Sequence, residues 1–478
     1  MDYTLIGFVL YLAMILVIGI ITFKLNKSHS DYFLGGRRMG PVLVAFSERT
    51  SAESAWLLVG LPGAAMAVGL MEVWTAIGCV SGIILSWIFI AKDLRISSEK
   101  HSAITLPNFF AEKFSKQESK VDDRVLRITA TIIILFFFTF YLAAQFIAAG
   151  KVLFVTFDIP QENGIIIGAT VIIIYTMMGG FLAVVWTDLI QGIIMIGALV
   201  VLPIIGFIVL DSRDLSIATA LAEADPDVAS LVQNKTGWAA AAVVISGLSW
   251  GLGYFGQPHL ITKYMSIGDP EKMKVARRIA ISWAVPAFTG AMLIGLVSLA
   301  LYGQNFYSDP EYVMPGLAND LLPAWLAGIF ISGAIAAMMS TADSQLLIIS
   351  SSVIEDFYHK TLGREVSEKL LLNLSRIITL VVGIFGLIIA LMSKELIFAM
   401  VSYAWSGLGA SFGPGIILLL KWKRCTKEGV LAGMVAGSMT TVVWSNIDYL
   451  NDIISVRFVA FVLATIAVIV FSLVSKKK

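Results

Sequence analysis

Residues 39–66 read MGPVLVAFSERTSAESAWLLVGLPGAAM. The stretch is long enough to cross a bilayer, and it is apolar at both ends. Its middle holds Glu48, Arg49, Thr50, Ser51, Glu53 and Ser54, where lipid would be deepest. A charge at that depth costs roughly 2.5 to 3.5 kcal/mol on an insertion scale. These ionisable groups must therefore face protein or water. We read the stretch as a discontinuous helix at the centre of a transporter. Two plainer readings compete. Arg49 and Glu53 are spaced i, i+4 and could neutralise each other as a structural pair, which leaves Glu48 and the hydroxyls without a purpose. An interfacial segment is the other, but the flanks are too apolar for it.

The chain has 478 residues, 58% hydrophobic and 14% charged, against about 25% charge in a soluble domain. It reads as an all-α polytopic membrane protein whose single transmembrane domain uses the whole length. The net charge of +1 implies no nucleic-acid partner, and nothing points to an obligate protein partner. Cys79 and Cys425 lie far apart and suggest no disulfide framework. Segment 3–23 follows an acidic residue and precedes no small-residue cleavage site, so it reads as a retained span.

Hydropathy places about thirteen spans, near 3–23, 40–65, 71–92, 124–155, 162–179, 181–210, 237–263, 276–303, 322–355, 370–392, 395–420, 428–446 and 453–474. Loops after odd-numbered spans are basic: Lys24, Lys27, Arg37 and Arg38; Lys92, Arg95, Lys100, Lys113 and Lys116; Lys263, Lys272, Lys274, Arg277 and Arg278; then Lys360, Lys421 and Lys476 with their neighbours. Loops after even-numbered spans lean acidic, with Asp158, Asp211, Asp225, Asp309, Glu311 and Asp448. The positive-inside rule then puts the N-terminus outside and the C-terminus inside.

A second interruption lies in the seventh span. Residues 247–258, GLSWGLGYFGQP, combine four glycines and a proline with aromatics. Unwound backbone at membrane depth is tolerated only where it lines a cavity. The second and seventh spans are five apart and begin from opposite sides. They therefore occupy matching places in two five-helix halves of inverted topology, residues 40–210 and 237–420. Segment 3–23 leads these halves and 428–474 trails them. Paired interrupted helices are a pointer to a secondary-transporter binding site.

Other motifs divide into uninformative and useful. Gly251, Gly253 and Gly256 fit G-x-G-x-x-G formally, but no strand precedes them and no acid follows at the right distance. The four histidines are scattered, and surface or satisfied roles suit them better than metal binding. No catalytic constellation is visible, so the chain does not read as an enzyme. In the ninth span Ala337, Ser340, Thr341 and Ser344 share a helical face beside Asp343. That face suits a hard cation such as Na⁺, or, more plainly, hydroxyls that back-bond or glue helices together. Asp188 follows the Gly179-Gly180 turn near the start of the sixth span, where it could be interfacial or a helix N-terminal acid. Glu48, Glu53, Asp188 and Asp343 against Arg49 make an excess of acids, which a bound cation or proton would balance. Trp250 and Tyr254 lie inside the broken helix and are pocket candidates; Tyr141 is a weaker one.

The chain resembles the sodium/solute symporter family, and within it the bacterial sodium/proline symporters. The matching strings are DYFLGGRRMGP at 31–41, SAWLLVGLPGA at 54–64, GGFLAVVWTD at 179–188, WGLGYFGQPH at 250–259, MMSTADSQLL at 338–347, EDFY at 355–358 and SYAWSGLGASFGP at 402–414. The resemblance implies the leucine-transporter-like inverted repeat. It implies a main Na⁺ site from backbone carbonyls at Thr50, Glu53 and Ala337 and hydroxyls of Ser340 and Thr341. A second ion site, present in some members, would fall on Ser340, Asp343, Ser344 and Asp188. Substrate would lie against Ser54, Trp56, Tyr141, Trp250, Tyr254 and Pro258. Arg37 matches an arginine near the cytoplasmic ion path, and Glu48 and Arg49 replace small residues and could bind substrate or seal a gate. The family's functional aspartate falls on Ala52, and its methionine on Glu53.

The expectation is a symporter of the bacterial cytoplasmic membrane, with Na⁺ as coupling ion and L-proline as solute. Another small amino acid or zwitterion, a proton-coupled variant using Glu53, and a membrane solute sensor are the alternatives.

Overall fold

The computed structural model describes residues 3–23, 29–115, 119, 121–178, 180–365 and 367–475. Lys24, Lys27, Lys116, Gly179 and Lys476 to Lys478 lie outside the described residues. Among the described residues the protein is helical, with a lone bridge between Met39 and Ile267. Among the described residues eight helices are long and apolar enough to cross a bilayer, or nine if the bent pair Gly237–Gly253 and Pro258–Ser266 forms one span. Tyr3–Ile15 and Gln161–Met177 are shorter apolar helices. The expected count of thirteen is not established by that measure. The reason is physical: Pro41–Ala52 is cut short at 12 residues by the break after it, and Lys427–Ser445 is diluted by Gly, Ser and Thr.

Both interruptions expected from the sequence are present. Helix Pro41–Ala52 starts with proline in its first turn, where the missing N–H is no loss, and ends at Glu53, at φ −93° and ψ 4°. The chain then widens into a π-helical turn over Trp56–Gly60 before Leu61–Val68. The second break falls after Trp250–Gly253, and the chain bends by 44° before Pro258–Ser266. Glycine makes this possible by close approach. A Cβ on Gly82 would lie 2.3 Å from the Gly251 carbonyl oxygen, and one on Gly253 1.8 Å from the Trp405 indole nitrogen. The formal G-x-G-x-x-G is thus a helix-packing surface.

The loops sort to two ends. At one, Leu70 N–H bonds the Val228 carbonyl at 2.9 Å, Trp74 bonds the Leu231 carbonyl at 2.9 Å, and Gln304 bonds the Ala67 carbonyl at 2.9 Å. At the other, Lys92 pairs with Glu271 at 2.6 Å and Arg37 donates to Ser98 and to the Met265 carbonyl at 3.0 and 2.9 Å. Between them Asp123–Phe157, Phe181–Ser212, Ala324–Ser351 and Ile397–Lys421 wall in the two broken helices.

Candidate functional site

The polar residues of the second span separate onto two faces. On one, Arg49 donates from Nε to Glu48 at 2.6 Å and from Nη1 to Glu53 at 2.6 Å, and Nη2 reaches Glu48 again. All three side chains are fully buried. The remaining lone pairs are met as well. Glu48 accepts from Trp87 Nε1 at 3.1 Å and from Tyr264 at 3.0 Å, and Glu53 accepts from Tyr254 at 3.1 and 3.2 Å. The Arg49–Glu53 pair therefore exists, but Glu48 shares the same guanidinium. Arg49 is a bidentate hub, which a lysine could not reproduce.

On the other face the hub is Asp188. Its carboxylate accepts from Ser340 at 2.6 Å, Ser51 at 3.3 Å and Lys263 at 3.3 Å, and also from Ser47. Its backbone carbonyl accepts from Thr50 at 3.0 Å. Thr341 donates to the Ser51 carbonyl at 3.0 Å, and the Ser51 and Ser344 hydroxyls lie 2.8 Å apart. Asp188 is fully buried and lies beyond the first turn of Phe181–Ser212, so it is not a helix N-terminal acid. Asp343 sits to one side, where one oxygen accepts from Thr176 and the other has no partner among the described residues.

The structure thus brings Thr50, Ser340, Thr341, Ser344 and Asp188 together. The Glu53 side chain belongs instead to the Arg49 hub, and Asp343 contacts neither Asp188 nor Ser340 by hydrogen bond. Ala337 is buried on the same helix as Ser340. Arg37 lies apart from the cluster, with φ +54° and its guanidinium spent on Ser98, Met265 and Ala103.

Four residues around this cluster were given no role from the sequence. Lys263, counted from sequence as a loop charge, is buried and pairs with Asp188. It reduces the expected excess of acids. Ser47 and Ser51 were legible only as nearby hydroxyls. His259, expected to be satisfied or at the surface, is fully buried, and neither ring nitrogen has a hydrogen-bond partner among the described residues. Its ring meets Phe138 edge-on at 5.3 Å and Tyr141 at 6.3 Å.

The pocket candidates meet where the two breaks face each other. Trp56 stacks on Trp250 with centroids 4.7 Å apart, and Phe398 packs against both. Tyr141 and Ser54 hydroxyls lie 3.3 Å apart. Tyr254 meets Trp405 edge-on at 4.8 Å, and the Trp405 indole donates to the Trp250 carbonyl at 3.0 Å. Pro258 opens the helix beyond the break. Trp405 was missed because an aromatic in a membrane span is ordinarily a belt or lipid-facing residue.

Two facing broken helices, with a hydroxyl and carboxylate cluster against one and an aromatic pocket between them, define a secondary transporter. The profile of the sodium:solute symporter family matches residues 32–437. The chain is 40% identical over 445 residues to the high-affinity proline transporter PutP of Bacillus subtilis (strain 168), covering 92% of each. It is 36% identical to the sodium/proline symporter of Escherichia coli (strain K12), covering 99% of this chain and 93% of that one. A solved Na⁺-coupled sialic acid symporter shares the fold, with TM-score 0.78 at 19% identity over 99% of this chain and 98% of that one. The chain belongs to the sodium:solute symporter family. It is a multi-pass membrane protein with the leucine-transporter fold.

Proposed function

We propose that the protein imports L-proline, driven by Na⁺, across a bacterial cytoplasmic membrane with its N-terminus outside and C-terminus inside. The family supports the coupling ion, and relatives named for proline at 36% and 40% identity support the solute. One observation carries the mechanism: a single segment, 47–56, contributes both to the hydroxyl cluster and to the aromatic pocket. Na⁺ taken up among Thr50, Glu53, Ala337, Ser340 and Thr341 fixes the break, and the break presents Ser54 and Trp56 to the solute. Each ligand then raises the affinity of the other, which is coupling by linkage. Asp188, Ser344 and Asp343 form the second ion position, next to Lys263, whose Nζ lies 3.3 Å from Asp188.

The solute lies against Ser54, Trp56, Tyr141, Trp250, Tyr254 and Pro258. Stacking on Trp56 and Trp250 suits a compact apolar ring. The Glu48–Arg49–Glu53 hub is the rigid pin between the broken helices, and Arg37 braces the inner end. Helices of the bundle rock against the scaffold to expose the site on the inner side. The test is uptake of labelled L-proline into proteoliposomes under imposed Na⁺ or H⁺ gradients. Na⁺-driven accumulation is expected. Uptake that follows only the proton gradient would replace Na⁺ by a proton on Glu53.

A further inference from the structure

A groove of about 850 Å³ runs along the outside of the helical bundle, between the ends of Glu368–Met392 and Lys427–Ser445 and across Ile397–Lys421. Its back wall is a row of aromatic rings. Phe136 and Phe140, near the middle of Asp123–Phe157, lie with centroids 5.2 Å apart, and Phe140 meets Tyr403 edge-on at 5.5 Å. Met392 and Val442 stand at the sides. Phe136 is 41% exposed and Met392 79% exposed. On a membrane-spanning bundle, exposed apolar side chains at this depth meet acyl chains rather than water. The rim differs from the wall. Where the groove reaches the 446–451 turn it is lined by Glu395 and Asp448, and by no Lys or Arg among the described residues. Lys394, next to Glu395 in the chain, does not line it. Asn446 and Asn451 return amide N–H groups to the Val442 and Ser445 carbonyls at 2.7 and 3.4 Å, so their own oxygens remain as acceptors. None of these groups is used by the site described above.

Two carboxylates on one rim repel, and a cation between them relieves the repulsion. A bare cation leaves the aromatic wall uncovered, and an anionic lipid adds a further negative charge. A phospholipid whose headgroup ends in a primary ammonium suits both parts. It brings N–H donors to an acceptor-rich rim and an acyl chain to the wall. We propose that this groove is a binding site for an ammonium-headed phospholipid, its ammonium on Glu395 and Asp448 and an acyl chain along Phe136, Phe140 and Tyr403. The lipid phosphate stands beyond the rim, at the water. The groove reaches the aromatic pocket through Ile397–Lys421. Ser402, which lines the groove, accepts from Arg457, and the Arg457 guanidinium lies over the Trp250 ring at 4.4 Å. Trp405, on the same helix, donates to the Trp250 carbonyl at 3.0 Å. A lipid seated in the groove steadies the helix that carries both contacts. The inference holds whatever solute the protein carries.

The test is native mass spectrometry and thermal melting of the purified full chain, titrated with phosphatidylethanolamine or with phosphatidylglycerol of the same acyl chains. One phosphatidylethanolamine per chain is expected to be retained and to raise the thermal midpoint, with phosphatidylglycerol held about tenfold more weakly. Glu395→Gln and Asp448→Asn alter exposed side chains. Combined, they are expected to leave the lipid-free midpoint unchanged and to bring the two lipids to equal affinity. Ala399→Phe fills the groove and is expected to release either lipid. Equal retention of both lipids by the parent, or a preference that survives the paired acid variant, overturns the proposal. A midpoint shift reproduced by free ethanolamine overturns it too, since the groove would then take an amine and not a lipid. So does a stable dimer that Ala399→Phe abolishes, which would put a second copy of the chain in the groove.

Discussion

The two faces of the 47–54 segment differ in how they tolerate burial. Glu48, Arg49 and Glu53 are held by charge against charge, with three aromatic donors closing the remaining valences. Ser47, Thr50 and Ser51 face Asp188, Ser340, Thr341 and Ser344, where all but one of the side-chain donors are neutral hydroxyls. An ion pair that loses a partner leaves a bare charge in low dielectric. A hydroxyl can rotate its proton away and present a lone pair to a cation instead. The first face is therefore built to stay, and the second to exchange partners. That division places a charge-locked face and a hydroxyl-lined face on one helix, a half-turn apart.

The largest effect should come from breaking the rigid face. Arg49→Met leaves two buried carboxylates without their guanidinium, and a loss of about 3–5 kcal/mol is expected, read as collapse of folded yield or of the thermal midpoint. Stable, folded Arg49→Met protein would end the distinction between the faces. Next comes the hub of the second face. Asp188→Asn is expected to fold but to raise the Na⁺ concentration for half-maximal uptake at least about tenfold, a change of about 1.4 kcal/mol. An unaltered Na⁺ requirement would move the ion site elsewhere. Ser340→Ala and Thr341→Ala each remove one neutral ligand. A smaller rise in that Na⁺ requirement, about threefold to tenfold, is expected, with melting changed by no more than about 1 kcal/mol. The smallest effect belongs to the exposed pair Lys92–Glu271, with side chains 39% and 72% exposed. Lys92→Ala should change stability by less than about 1 kcal/mol and leave Na⁺ dependence alone. A larger change there would show that the end of the bundle is coupled to the site.

The polar interior of 39–66 and the Gly/Pro-rich 247–258 were sufficient to locate both broken helices, because lipid tolerates such residues only where they are enclosed. The face formed by Ala337, Ser340, Thr341 and Ser344 was equally legible, since a helix puts those positions on one side. Lys263 was misjudged because a lysine at the end of an apolar run resembles a loop anchor, and only the fold shows it turned inward onto Asp188. His259 was misjudged for a related reason, as nothing local marks a ring enclosed between Phe138 and Tyr141.

What the residues alone determined is where the helix must break and that the break must be sheltered, since both follow from local cost in a solvent without water. What the tertiary structure decided is which charges share a partner. Glu48 and Glu53 meet one guanidinium while Asp188, more than a hundred residues on, meets Ser47, Ser51 and Lys263. Ion pairing and ion binding depend on approach across helices within a few ångströms. No periodicity along one chain encodes that distance until the helices are packed.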